Sequence, residues 1–271
     1  MTTKEFHRLV IQTRGIQENN HFFTSLFEHR VGINDEDFLV VLEAVEKEEG
    51  NKFFEETLLR VLKLYNAGDI YSCYFTSYRY SDGKIVGGGR GRCVQYSHAI
   101  GFVPVKYSLT AEQVNSFPAW FDHYFPKLFA SSRNDVYKAM LRTYDTSYLL
   151  GIGESEYIML FSILEMIFGT GNTEITYQIS RGTALLLSDT SDEMESIYKQ
   201  MKKLYTARSK YVHNGTHIPI DCLYQLREIV RKILVKLVDL DYHTQEKSVD
   251  ELRTKILLGG YHSFTSIHRE E

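Results

Sequence analysis

The stretch from Thr190 to Gly215 constrains this chain most, because its residues together specify one helix with a start, a stop and a buried face. Thr190-Ser191-Asp192-Glu193 reads as a capping box, in which Thr190 caps the first turn and Glu193 reaches back. Asp192, Glu193 and Glu195 crowd the first turns and Lys202, Lys203 and Lys210 the last, the order that suits the helix macrodipole. Asn214-Gly215 supplies a left-handed stop. The spacing predicts a helix over Asp189–His213 with Met194, Ile197, Met201, Leu204, Tyr205 and Val212 as its buried stripe. Arg208 falls within about 20° of Ile197 on the helical wheel, in the middle of that stripe. A guanidinium there must be paired, or must face a cleft or a partner subunit. His213 falls about 140° further round, in the last turn, where the helix C-terminus favours the imidazolium. Arg208 is a permanently charged phosphate binder, and His213 is the side chain type that titrates near neutral pH. Together they form a candidate phosphodiester-cleaving pair.

A second segment answers the first. Residues Tyr157–Phe168 are apolar almost all round, which predicts a central helix, and Glu165 is the only charge among them. Glu165 is expected to hydrogen-bond into the helix carrying Arg208, with Arg208 as its partner.

The rest of the chain divides in two. Asp35–Glu49 and Lys52–Asn66 read as amphipathic helices, the second with Phe54, Leu58, Val61, Leu62 and Tyr65 at helical spacing. Asp69–Tyr80 is rich in Tyr, Phe, Ile and Thr without helical period, and Ser81-Asp82-Gly83 is a turn signal. With Lys84–Val86, Arg92–Ser97 and Val103–Leu109 this predicts a small antiparallel sheet, a meander. Gly87-Gly88-Gly89-Arg90-Gly91 lacks a following helix and a Gly-Lys-Ser/Thr ending, so it reads as a hairpin connection or bulge rather than a phosphate loop. Thr110-Ala111-Glu112-Gln113 is an N-cap into another helix. Beyond about Lys127 the pattern is helical: Asn134–Leu150, Glu154–Phe168, Thr173–Leu187 with Thr173 as cap, Asp189–His213, Pro219–Leu240 and Val249–Leu258. The fold class is mainly α: an α+β region over 1–127, a helical bundle over 128–258 and a polar tail over 259–271.

The chain of 271 residues carries a net charge of −4, which gives no global sign of nucleic-acid binding. Locally, nine basic residues between Ile197 and Lys236 face only Asp221 and Glu228, a possible polyanion footprint in which Lys202, Lys203 and Arg231 are candidate RNA contacts. The three cysteines, Cys73, Cys93 and Cys222, form no C-x-x-C pair and indicate neither a disulfide framework nor zinc. No apolar run is long enough for a membrane span, and the start of the chain has no apolar signal region. A reducing cytoplasm is therefore expected. His213 and His217 are four apart, a metal-ligand spacing. Asn214-Gly215 breaks the helix between them and no carboxylate or cysteine is near in sequence, so no metal and no cofactor are expected. Arg181 reads as an exposed helix residue.

The stretch from about Asn134 to Leu240 resembles the HEPN domains, most closely their Apea-like branch. The resemblance is carried by Ile163-Leu164-Glu165, by Ser180-Arg181-Gly182-Thr183-Ala184-Leu185-Leu186-Leu187, and most of all by Leu204-Tyr205 with Arg208-Ser209-Lys210-Tyr211-Val212-His213-Asn214-Gly215. HEPN domains are helical bundles marked by Arg, four to six residues, then His. Many are metal-independent RNA endonucleases of toxin–antitoxin, abortive-infection and antiviral systems. The resemblance implies a homodimer in which two motifs build one composite site, with RNA as substrate and a regulatory protein as a possible partner. Arg208 would bind the scissile phosphate, and His213 would act as general acid/base or orient the ribose 2′-hydroxyl. Glu165, Ser209, Lys210, Tyr211 and Asn214 would support them. The products would be a 2′,3′-cyclic phosphate and a 5′-hydroxyl. Ser209 departs from the Asn, Asp or His that often follows the arginine in active members. Two other readings stay open: a non-catalytic RNA- or nucleotide-binding module, and a structural domain in which Arg208 and Glu165 form a buried pair and the helix stripe is a dimer seam.

Overall fold

The computed structural model describes residues 4–12, 44–45, 60–68, 71–81, 84–92, 109–129, 134–150, 153–169, 174–244 and 248–259. The expected strands at 92–97 and 103–109, the Asp82-Gly83 turn and the tail beyond Gly259 lie wholly or mostly outside them. The described residues are mainly helical. The chain divides into two compact units, Met1–Phe125 and Pro126–Glu271.

In the first unit four strands pair in the order β2-β1-β3-β4: β1 (Lys4–Gln12), β2 (Ala44–Val45), β3 (Tyr71–Ser81) and β4 (Lys84–Arg92). All pairings are antiparallel. Strand β3 pairs with β4, as the expected meander has it, and its other neighbour is the N-terminal β1; the later strands of that meander lie mostly outside the described residues. Two expectations need correction. Ala44-Val45 pairs as a strand inside the segment expected to be helical. The glycine run is not a connection: Gly87–Gly91 pair residue by residue with Arg79–Phe75, and the register shifts only between Arg79 and Tyr80. Glycine removes the side chain but not the ladder hydrogen bonds, so period-based reading misses such a strand. The same unit has a helical stretch over residues 60–65 and most of α1 (Ala111–Phe129). Thr110 and Gln113 exchange the two hydrogen bonds of a capping box at its start. Tyr65 packs edge-on to Phe117 and Trp120 and hydrogen-bonds Ser116 at 2.9 Å.

The second unit holds α2 (Asp135–Leu149), α3 (Glu154–Phe168), α4 (Ile175–Leu187), α5 (Ser191–Asn214), α6 (Ile220–Asp239) and α7 (Val249–Gly259). Helix α3 packs against each of the other five, the central place its all-round apolar sequence requires. Tyr157, Leu160, Phe161, Ile163, Leu164 and Ile167 are all fully buried, each contributing about 1.5–3 kcal/mol of apolar burial. Buried hydroxyls need acceptors, and two tyrosines find them on helix backbones. Tyr157 donates to the Leu204 carbonyl at 2.8 Å and Tyr137 to that of Leu234 at 3.1 Å. Arginines cap two helix C-termini. Arg253 donates to the carbonyls of Ile167 and Met166, and Arg181 to that of Ile256 at 2.8 Å. Arg181 is thus a half-buried tie between α4 and α7, not the exposed residue its position in sequence implied. The cap of α4 is Glu174, without a side-chain bond, rather than Thr173, which lies outside the described residues.

Candidate functional site at the C-terminal end of helix α5

The predicted devices of α5 are present. Thr190 and Glu193 complete the capping box. Gly215 stops the helix with φ 66° and ψ 18°, and its N–H donates to the Tyr211 carbonyl at 2.9 Å. The stripe is shorter than expected. Met201 and Leu204 are buried, Met194, Ile197 and Tyr205 are half-buried, and Val212 is 53% exposed. Over the last two turns Arg208, Ser209 and Tyr211 are half-buried and Val212, His213 and Asn214 are exposed, so a position on the stripe no longer means burial there.

Arg208 sits where coverage runs out. Its Nη2 pairs with Glu165 Oε1 at 2.8 Å, as the one charge in the apolar run Tyr157–Phe168 led one to expect. Its guanidinium lies 5.8 Å from the Phe161 ring centroid and 5.3 Å from that of Tyr205, within cation–π range. The two rings are themselves edge-to-face at 5.5 Å, and Nη1 reaches the Tyr205 hydroxyl at 3.4 Å. The buried Nε–H has no hydrogen-bond acceptor among the described residues, although unsatisfied buried donors are uncommon. The arginine is held on three sides with 22% of its side chain exposed.

His213 is exposed in the last turn, about 7.5 Å further along the axis. Ser209 and Tyr211 are half-buried, and Lys210 and Asn214 are exposed. The His213–His217 spacing does not make a pair. His217 lies beyond the Gly215 stop and is engaged by Glu154 at the start of α3, a carboxylate distant in sequence. Among the described residues no three His, Cys, Asp or Glu side chains cluster as a metal site.

Five of the nine basic residues between Ile197 and Lys236 are paired with carboxylates. Arg231 was expected to contact RNA, but its Nε and Nη2 are both taken by Glu228, at 2.8 and 2.7 Å, and only 15% of its side chain is exposed. Burial pushes the Glu228 carboxyl up, but the Arg231 hydrogen bonds and charge, helped by Lys232, outweigh it and the net shift is down. Lys199 pairs with Glu195. Lys202 and Lys203 are exposed but point to different sides of α5, about 100° apart. Lys202 lies over the Tyr198 ring at 5.7 Å.

One pair escaped the sequence reading. Arg227 makes a bidentate contact with Glu156, with Nη2 to Oε2 at 2.7 Å. Their side chains are 3% and 0% exposed. The Arg227 guanidinium also lies over the Tyr148 ring at 4.6 Å. The signal was available: Arg227 falls on the apolar face of α6 between Leu223, Val230 and Leu234, just as Arg208 falls on that of α5. This ion pair is sealed in the core, so of Arg208 and Arg227 only Arg208 reaches solvent. No family model, curated protein or solved structure matches this chain.

Proposed function

We propose that this protein is a metal-independent RNA endonuclease of HEPN type, acting as a homodimer in a defence or toxin-like system. The observation that carries the reading is Arg208: paired to Glu165, flanked by Phe161 and Tyr205, yet open on one edge at the helix end that presents His213. A guanidinium fixed in this way loses little conformational freedom when it takes a phosphate. The 2′-oxygen of the ribose attacks the adjacent phosphorus, and the bond to the 5′-oxygen breaks. A histidine takes the 2′-hydroxyl proton or supplies one to the departing 5′-oxygen, while Arg208 stabilises the charge on the phosphoryl oxygens. His213 from each subunit supplies the two proton-transfer roles in a composite site. Because Glu165 already occupies one side of Arg208, the arginine engages the phosphate through its remaining edge.

The same ion pair favours a second, structural reading, in which Arg208 and Glu165 merely join α5 to α3. Incubation with end-labelled RNA in EDTA separates the readings. Cleavage to 2′,3′-cyclic phosphate ends that is lost in both Arg208→Ala and His213→Ala supports the nuclease. Salt-sensitive binding without cleavage leaves a binding module. Absence of both activities, with Arg208→Ala strongly destabilised, leaves the structural pair.

A further inference from the structure

One concave feature of the second unit combines side chains that the Arg208–His213 site does not use. A notch of about 520 Å³ lies between the start of α4 and the middle of α5, lined by Glu174, Thr176, Tyr177, Tyr198 and Lys202. Tyr177 is 49% exposed. The Tyr198 ring stands edge-on to it, with centroids 6.5 Å apart and an interplanar angle of 76°. Lys202 reaches over Tyr198. Glu174 holds a left-handed backbone with φ 74°, a conformation few non-glycine residues adopt.

Helix geometry connects this notch to His213, the member of the candidate pair on the same edge of α5. At 100° per residue, Tyr198, Lys202, Ser209 and His213 fall within about 60° of arc, along one edge of α5. Lys202 and His213 are about 16 Å apart along the axis. Lys203 and Lys210 fall about 90–110° away from the middle of that edge. The edge therefore runs from an aromatic shelf with one cation to the exposed histidine. An extended nucleic-acid strand asks for this sequence of surfaces: a ring to stack a base, a cation for the phosphate beside it, and the reacting group further along.

We propose that the notch is a nucleobase subsite for single-stranded RNA, in which a base stacks on Tyr177 and Lys202 holds an adjoining phosphate. The Glu174 carboxylate accepts a hydrogen bond from an exocyclic amine of that base, which favours adenine or cytosine over uracil. The subsite rests on the proposed reading of Arg208 and His213 as the cleavage site.

The test is equilibrium binding and cleavage of short unstructured oligoribonucleotides by the full chain, in EDTA and low salt, with oligo(A) and oligo(C) set against oligo(U). Tyr177→Ala is expected to weaken binding by about tenfold or more, and Tyr177→Phe to restore it, because stacking needs the ring and not the hydroxyl. Tyr177 is exposed, so both variants keep the fold, checked by circular dichroism. If Arg208-dependent cleavage is present and Tyr177→Ala changes neither binding nor cleavage, the subsite is wrong and the nuclease stands. If binding depends on Tyr177 but no cleavage occurs and Arg208→Ala is neutral, the subsite stands and the nuclease reading falls. If the chain binds no RNA, both fall. Equal affinity for oligo(U) and oligo(A) with Tyr177 dependence overturns the role given to Glu174.

Discussion

Arg227 and Arg208 are the same residue type in two settings, and the difference sets what each contributes. The Glu156–Arg227 pair is sealed from water, so removing one partner strands the other charge at a cost of about 3–5 kcal/mol. Glu156→Ala should therefore lower the urea midpoint steeply, while Glu156→Leu combined with Arg227→Met should recover most of the loss. If the double variant were as unstable as the single one, stranded charge would not be the cause. Arg208 keeps 22% of its side chain in solvent and Glu165 31%. Arg208→Ala should cost only about 1–2 kcal/mol, between exposed and buried pairs. A loss as large as that of Glu156→Ala would favour the structural reading. Glu228 adds a pH dependence. Its carboxyl is held below the ordinary range by Arg231 and Lys232 despite its burial. A depressed folded-state value gives stability that is present above the unfolded value of about 4.3 and is lost as pH falls through the folded one. Wild type should lose its stability advantage over Glu228→Gln on acidification, and parallel acid titrations of the two would contradict this.

At the scale of elements, helix ends and crossings carry the specificity. A Cβ on Gly182 of α4 would stand 2.3 Å from Cδ1 of Phe168, the buried last residue of α3. Alanine has the better helix propensity by about 1 kcal/mol, yet overpacking costs about 1–3 kcal/mol. Gly182→Ala should destabilise, measured as a lowered thermal midpoint; a raised midpoint would mean that α3 and α4 separate easily. Gly215 meets no neighbouring atom within 4 Å, so its requirement is conformational: φ 66°. Gly215→Ala should cost about 1 kcal/mol and fray the turn that bears His213. The helices of the second unit were legible within a residue or two, because their caps and periods are local. The glycine-filled part of β4 beyond Val86 and the two-residue β2 were not, because a strand is defined by its partner and neither leaves a periodic side-chain signature.

For the whole molecule, the proposed composite site requires two copies. Val212 is 53% exposed on the line of the α5 stripe, between Arg208 and the helix end. Val212 lies where the composite-site proposal puts a seam between two α5 helices. The full chain is expected to sediment as a dimer, and Val212→Glu to shift it to monomer and abolish cleavage together. A monomer at all concentrations would remove the composite site. No helix among the described residues is long and apolar enough to cross a membrane.

The sequence by itself determined the helices of the second unit, the central place of α3, the start and stop of α5, and the anomaly of an arginine on its stripe. These follow from period and capping, which act over a few residues. It also named Glu165 as the partner of Arg208, since Glu165 is the only charge in the apolar run Tyr157–Phe168 and must find a cation. The Glu228–Arg231 pair is local, three residues apart on α6. Tertiary structure alone decided that Arg227 is closed off, by Glu156 of α3, although it lies in the same run as Lys202 and Arg208. It alone placed Glu154 beside His217 and Tyr177 beside Tyr198. Charge neutralisation and concavity depend on which helices meet, and that is set by the packing of the whole core rather than by any local run of residues.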